Sequence, residues 1–146
     1  MVNPAVAGRQ YPPTPPYEVG REKIREFAEA TGPHPAHTDP EAARALGYPD
    51  VIAPPTFAVI VAQRCDAQLV LDPEAGIDFS RVVHGDQRFA FSRPIVAGDE
   101  LTATLAVTSI KSLGGHSMVT SESTIVDSAG EHVVTAISTL VVRGDE

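Results

Sequence analysis

A loop histidine beside a helix start is a natural place to look for proton transfer, because imidazole is the side chain that titrates nearest neutrality. His37 stands in such a place. The stretch from Thr31 to Phe57 reads TGPHPAHTDPEAARALGYPDVIAPPTF, a Gly/Pro-rich loop that leads through Pro54-Pro55-Thr56 into a long apolar segment. His37 can act as one half of an acid/base pair, or it can hydrogen-bond near the helix start as a structural loop residue. His34 reads as ordinary loop chemistry. His84-Gly85-Asp86-Gln87, just ahead of an aromatic strand, can shape a substrate tunnel or contact a partner, and structural hydrogen bonding at the head of the strand is the equal alternative. His116 and His132 fall in turns and are expected to be solvated. No pair of histidines has metal-ligand spacing backed by a carboxylate cluster, so no metal is expected. Cys65, within the apolar segment, reads as a small core residue. Arg88, Arg93 and Lys111 can bind ligand phosphates or stand as isolated surface cations.

The elements that must position these residues follow from periodicity. Residues 1–16 end in the run Tyr11-Pro-Pro-Thr-Pro-Pro16, which predicts an extended arm, disordered or laid along a partner, ahead of a single domain over 17–146. Ile24, Phe27 and Ala28 recur at helical spacing from Arg21, with charges on the other face, until Gly32-Pro33 ends the helix. Asp39 then caps a second helix, with Pro40 in its first position, running to Gly47. From about 55 to 71 the sequence is apolar nearly all round in its first two turns, the pattern of a helix enclosed by a sheet. Val82 to Arg143 reads as four strands, rich in Thr and Val. Ala97-Gly98-Asp99, Leu113-Gly114-Gly115 and Ser128-Ala129-Gly130 mark the turns, and such short connections predict an antiparallel meander. The fold class is α+β.

Composition excludes several functions. Eleven basic against nineteen acidic residues, a net charge of −8, leave no basic face for nucleic acid. The single cysteine rules out an internal disulfide and a thiolate-rich zinc site. No apolar run approaches a membrane span and the N-terminus lacks a signal-peptide pattern, so a cytoplasmic protein without membrane contact is expected. There is no GxGxxG or Walker-type loop, and no cofactor is expected.

The strings HPAHTDPEAARALGY (34–48), IAPPTF (52–57), HGDQRF (84–89) and SRPIVAGDEL (92–101), set in a helix-then-strands order, resemble the hot-dog fold and within it the MaoC-like dehydratase/hydratase family. The likeness is strongest to its HadA-like subunits of fatty-acid dehydratases. Active members carry Gly-Asp-x-Asn-Pro-x-His, whose Asp and His add or remove water across C2–C3 of an acyl thioester. The resemblance puts His37 on the His position and leaves Gly32, or a gap, where the Asp belongs. It also implies a backbone N–H at the start of the buried helix that holds the thioester carbonyl. In this chain that residue is Pro55, which has no N–H to give.

Three functions are consistent with this mixture. The first is the substrate-stabilising subunit of a (3R)-hydroxyacyl-thioester dehydratase, binding acyl-CoA or acyl-ACP while a homologous hot-dog subunit supplies the catalytic Asp and His. Pro55, Thr56, Phe57, Ile60, Val61, His84 and Gln87 are then the substrate-contacting candidates. The second is a self-sufficient homodimer in which His37 works with another carboxylate such as Asp39. The third is a non-enzymatic acyl-thioester binding module.

Overall fold

In the computed structural model, which describes residues 1–145, a five-stranded antiparallel sheet curls around one long helix. The elements in chain order are β1 (Tyr17–Glu18), α1 (Arg21–Thr31), α2 (Pro35–Thr38), α3 (Pro40–Ala45), α4 (Ala58–Val70), β2 (Val82–Phe91), β3 (Glu100–Leu113), β4 (His116–Val126) and β5 (His132–Val142). Pro55–Phe57 forms a single 3₁₀ turn leading into α4. This is the hot-dog architecture. Among the described residues no helix is long and apolar enough to cross a membrane.

Each helix forms for a local reason. α1 buries Ile24 and Ala28, and its C-terminus is closed by Gly32 at φ +118, whose N–H reaches Ala28 O at 2.8 Å. Asp39 caps α3 by accepting from the Glu41 N–H at 3.0 Å. The short α2, which the loop reading did not foresee, is capped by the His34 ring accepting from Ala36 N–H. α4 buries Ala58, Val61, Ala62, Cys65 and Leu69 against the concave face of the sheet. Phe57, at its head, is fully buried and meets the Phe27 ring edge-on at 5.5 Å. The sheet face beneath is lined by Leu101, Leu105, Val119 and Ile125.

The strands are where expected, but their order is not a simple meander. The order is β1-β3-β4-β5-β2, so β2 pairs with β5 rather than with its successor β3. The connection 92–99 is no hairpin turn because it carries Ile95 and Val96 into the core. It crosses between β2 and β3 and pairs instead with loop 51–53, through Ala53 N–H to Ile95 O and Ala97 N–H to Val51 O. Arg93 fastens it with ion pairs to Asp99 at 2.8 Å and Asp127 at 3.2 Å.

The N-terminal segment is extended yet packed on its own chain. Val2 and Val6 join the core, and Gly8, Tyr11 and Thr14 donate to the carbonyls of Val107, Leu105 and Ala103 in β3. Thr14 is the one residue of the 12–16 run with an N–H, and its hydroxyl also accepts from Ala103 N–H at 3.0 Å. Its prolines can lie at a sheet edge but cannot pair there. The free or partner-bound arm expected from them is therefore corrected: the segment covers the outer side of β3.

Candidate functional site

His37 sits in the middle of α2, half-buried, on the wall of a cleft of about 430 Å³. Ile52, Pro55, Phe91 and Ser92 share that wall. Its Nδ1 lies 2.7 Å from the Ile52 carbonyl oxygen. A carbonyl only accepts, so Nδ1 carries the proton and Nε2 is left with its lone pair. The loop thus presents an oriented imidazole with one nitrogen free for proton transfer.

The second group of an acid/base pair is missing. No carboxylate bonds to His37 among the described residues. Asp39, the nearest acid in sequence, turns toward its own helix to cap α3. Gly32 faces open space and holds a positive φ that a side-chain-bearing residue rarely adopts. His34 is occupied as the cap of α2, with its ring 6.0 Å from that of His37.

The head of the buried helix is equally unsuited to hold an oxyanion. Pro54 and Pro55 precede α4, and neither has an N–H. Pro55 lines the cleft, both it and Thr56 are exposed, and Thr56 is the first residue after the two prolines with an N–H to offer. Phe57 and Val61 are fully buried and Ile60 partly so, packed against the core. Phe57 and Val61 have no surface for a ligand.

The β2 candidates separate from His37. Gln87 spends its side chain on β5: its carbonyl accepts from the Ser138 hydroxyl at 2.7 Å and its amide donates to Ile137 O at 3.3 Å. His84 lies beyond a bulge between His84 and Asp86, on the wall of a second and larger groove of about 950 Å³. Gly85 permits this bulge, since a Cβ there would meet Val141 Cγ2 at 3.1 Å and Thr139 O at 3.3 Å. Of the candidate phosphate ligands, Arg93 is held by two aspartates and Arg88 pairs with Asp86. Both turn histidines are engaged locally: His116 accepts from Gly144 N–H, and His132 bonds to Ser92 and Thr135. Burial pushes the Cys65 thiol up to about 11, despite a hydrogen bond from Ser123 that acts the other way. A thiol so placed is not a nucleophile at neutral pH.

Sequence reasoning passed over Asp66. It lies on α4 facing the second groove, where desolvation raises its carboxyl to about 6 and the His84 charge partly opposes the rise. The available signal was an acid inside the stripe 63, 66, 67, 70 of a helix otherwise read as buried.

Comparison with known proteins agrees with this geometry. The family described as FAS1-like, dehydratase domain region, matches residues 5–136. A UPF0336 protein of Leifsonia xyli subsp. xyli is 68% identical over 146 residues, covering 99% of this chain and 98% of the relative. Among solved structures, the C-terminally truncated HadBC (3R-hydroxyacyl-ACP dehydratase) complex from Mycobacterium tuberculosis is 36% identical with a TM-score of 0.83, over 93% of this chain and 96% of the matched one. A MaoC-like dehydratase is 40% identical with a TM-score of 0.88, over 96% of this chain but only 43% of that longer polypeptide. With nearly its whole length matched and its curled sheet and buried helix in common, the chain belongs to the MaoC-like hot-dog dehydratase family.

Proposed function

We propose that this chain is the substrate-stabilising, HadA-like subunit of a (3R)-hydroxyacyl-thioester dehydratase of type II fatty-acid synthesis. It acts on acyl-CoA or acyl-ACP beside a homologous hot-dog subunit that supplies the catalytic Asp and His. The observation that carries this reading is the half-built cleft: an oriented His37 without a carboxylate, below a helix headed by two prolines. Dehydration needs a base to take the C2 proton while its bonding electrons form the double bond, and an acid to protonate the C3 hydroxyl as it leaves as water. One imidazole does not supply both. Losing a backbone donor to the thioester oxygen removes a further ~3 kcal/mol, roughly a hundredfold in rate.

The likeness to a complex described as a dehydratase supports the presence of a partner. So does β2, an edge strand carrying the exposed Val83 and Phe91, which a second hot-dog sheet would continue. In this reading the thioester and its C2–C3 bond lie at the partner's Asp and His, while this chain holds the acyl tail.

The test is an assay of the purified chain on crotonyl-CoA and longer enoyl-CoA, alone and after co-expression with a homologous chain bearing an intact Gly-Asp-x-Asn-Pro-x-His loop. The chain alone is expected to be inactive and the co-purified pair active, with His37→Ala altering the pair's rate less than tenfold. Brisk hydration by the isolated chain, abolished by His37→Ala, would overturn the proposal in favour of a self-sufficient enzyme.

A further inference from the structure

At the end of the sheet away from the His37 cleft, two arginines and a histidine gather around a cleft of about 590 Å³. Its lining is Arg81, His116, Arg143, Gly144 and Asp145. The ten residues of β2 separate the two sites, from Val82 beside Arg81 to Phe91 on the His37 wall, a span of about 30 Å. Close backbone approach builds this cleft. Gly144 lies against the tip of the β3–β4 hairpin, where a Cβ would overlap the Gly115 carbonyl oxygen. Its N–H donates to His116 Nδ1 at 3.1 Å, and its carbonyl accepts from Arg81 Nη1 at 2.8 Å. So pinned, the glycine sets Arg143 and Asp145, its two neighbours, on the lining.

The donors share one space. Because His116 Nδ1 accepts a hydrogen bond, the proton of the neutral ring stands on Nε2 and is available to the cleft. Arg143 is exposed and pairs with no carboxylate among the described residues. Arg81 holds Asp145 at 2.8 Å through Nη2, and its Nε lies 3.6 Å from Asp78. Among the described residues Asp145 is the one acid on the lining, and its side chain is 90% exposed. An ion pair so open to water contributes little, so a better anion displaces it readily. Phosphate is the better anion. It carries close to two negative charges at neutral pH, and its oxygens can accept from two guanidinium forks and an imidazole together. In a chain of net charge −8, such an ion is held only where cations are concentrated.

We propose that this cleft binds a phosphate group, which takes the place of the Asp145 carboxylate on Arg81 and is held by Arg143 and the His116 Nε2–H. The shared chemistry is a phosphate dianion, either the free inorganic ion or a monoester on a small organic body for which the cleft has room. The site rests on Arg81, His116 and Arg143 and not on the dehydratase reading, since it requires neither turnover nor a second subunit.

The test is titration of the full-length chain with inorganic phosphate, glycerol 3-phosphate and acetate, at constant ionic strength and about pH 7.5. Binding is read from the NMR shifts of the Gly115, Arg143 and Gly144 amides and the His116 ring. Phosphate is expected to bind about fivefold or more tightly than acetate, with Asp145→Asn tightening it about threefold and Arg143→Ala weakening it about fivefold. Arg25→Ala, which removes an exposed arginine from α1, should leave phosphate binding unchanged. Tighter binding of glycerol 3-phosphate than of phosphate identifies an organic monoester as the occupant, and equal or weaker binding identifies the free ion. Acetate binding as tightly as phosphate would overturn the proposal. So would equal losses from Arg25→Ala and Arg143→Ala, which mark general surface charge, or no shift at these groups up to about 50 mM phosphate.

Discussion

Asp66 makes the stability of this chain depend on pH in a direction opposite to most carboxylates. Desolvation holds its folded pKa at about 6, above the value of 3.8 for a free side chain. The group is therefore easier to ionise in the unfolded chain, and folding loses stability as pH rises from about 4 through about 6. Below that window the acid is neutral in both states and costs nothing. Asp66→Asn should accordingly raise thermal stability at pH 7.5 by the equivalent of about 1–3 kcal/mol and leave it nearly unchanged at pH 4, as followed by calorimetry. His37 leads to a second prediction at this scale. Gly32→Asp alone should not confer hydration activity, because the donor lost at Pro55 is still absent. The double variant Gly32→Asp/Pro55→Gly restores both an acid and an N–H, and it should hydrate crotonyl-CoA measurably above either single variant. The strain of a non-glycine residue at φ +118 should cost the variants about 1–2 kcal/mol of stability.

Among the elements, β2 carries the most unusual local geometry. Its bulge at His84/Asp86 exists because Gly85 lies against Thr139 O and Val141. Gly85→Ala should destabilise the fold by about 1–2 kcal/mol in urea unfolding, with the largest amide shifts at Thr139 and Val141. Much at this scale was legible in the residues. Ile24, Phe27 and Ala28 announce α1, Asp39-Pro40 announces α3, and alternation from Leu101 to Val107 announces β3, because each depends on neighbours in sequence. The place of β2 beside β5 was not legible, since strand pairing is settled by contacts some fifty residues apart, such as Arg88 with Ile137. Ile95 and Val96 were the clue that the intervening connection is no surface turn. At the site, His37 stood out because its neighbours are loop formers. Asp66 did not, because one acid on a helix looks solvated until β2 is seen to face it across the groove.

At the scale of the whole molecule, the N-terminal segment and the 71–77 loop act as one unit. Arg9 bridges Asp72 and Glu74, Tyr11 donates to Asp72, and Asn3 bonds to the Glu74 and Ala75 carbonyls. Tyr11 has its phenol pushed up to about 12, first by burial and then by the adjoining Asp72 carboxylate, so it remains a donor throughout the physiological range. Arg9→Ala combined with Tyr11→Phe should free the loop that walls the larger groove. Amide exchange at Ala75 should accelerate at least tenfold while the protection of β4 stays intact.

That same segment also bears on how the proposed pairing would end. By stitching itself along β3 through Gly8, Tyr11 and Thr14, it blunts that margin of the sheet with proline and its own backbone. The strand at the opposite margin, β2, is the one left to recruit another molecule. If a second hot-dog sheet continues this one at β2, as proposed, assembly stops after that single addition, because a newcomer of the same design arrives with its far side already sealed. Under that pairing, the covered margin of β3 would deny edge-to-edge stacking the second free strand that a fibre needs.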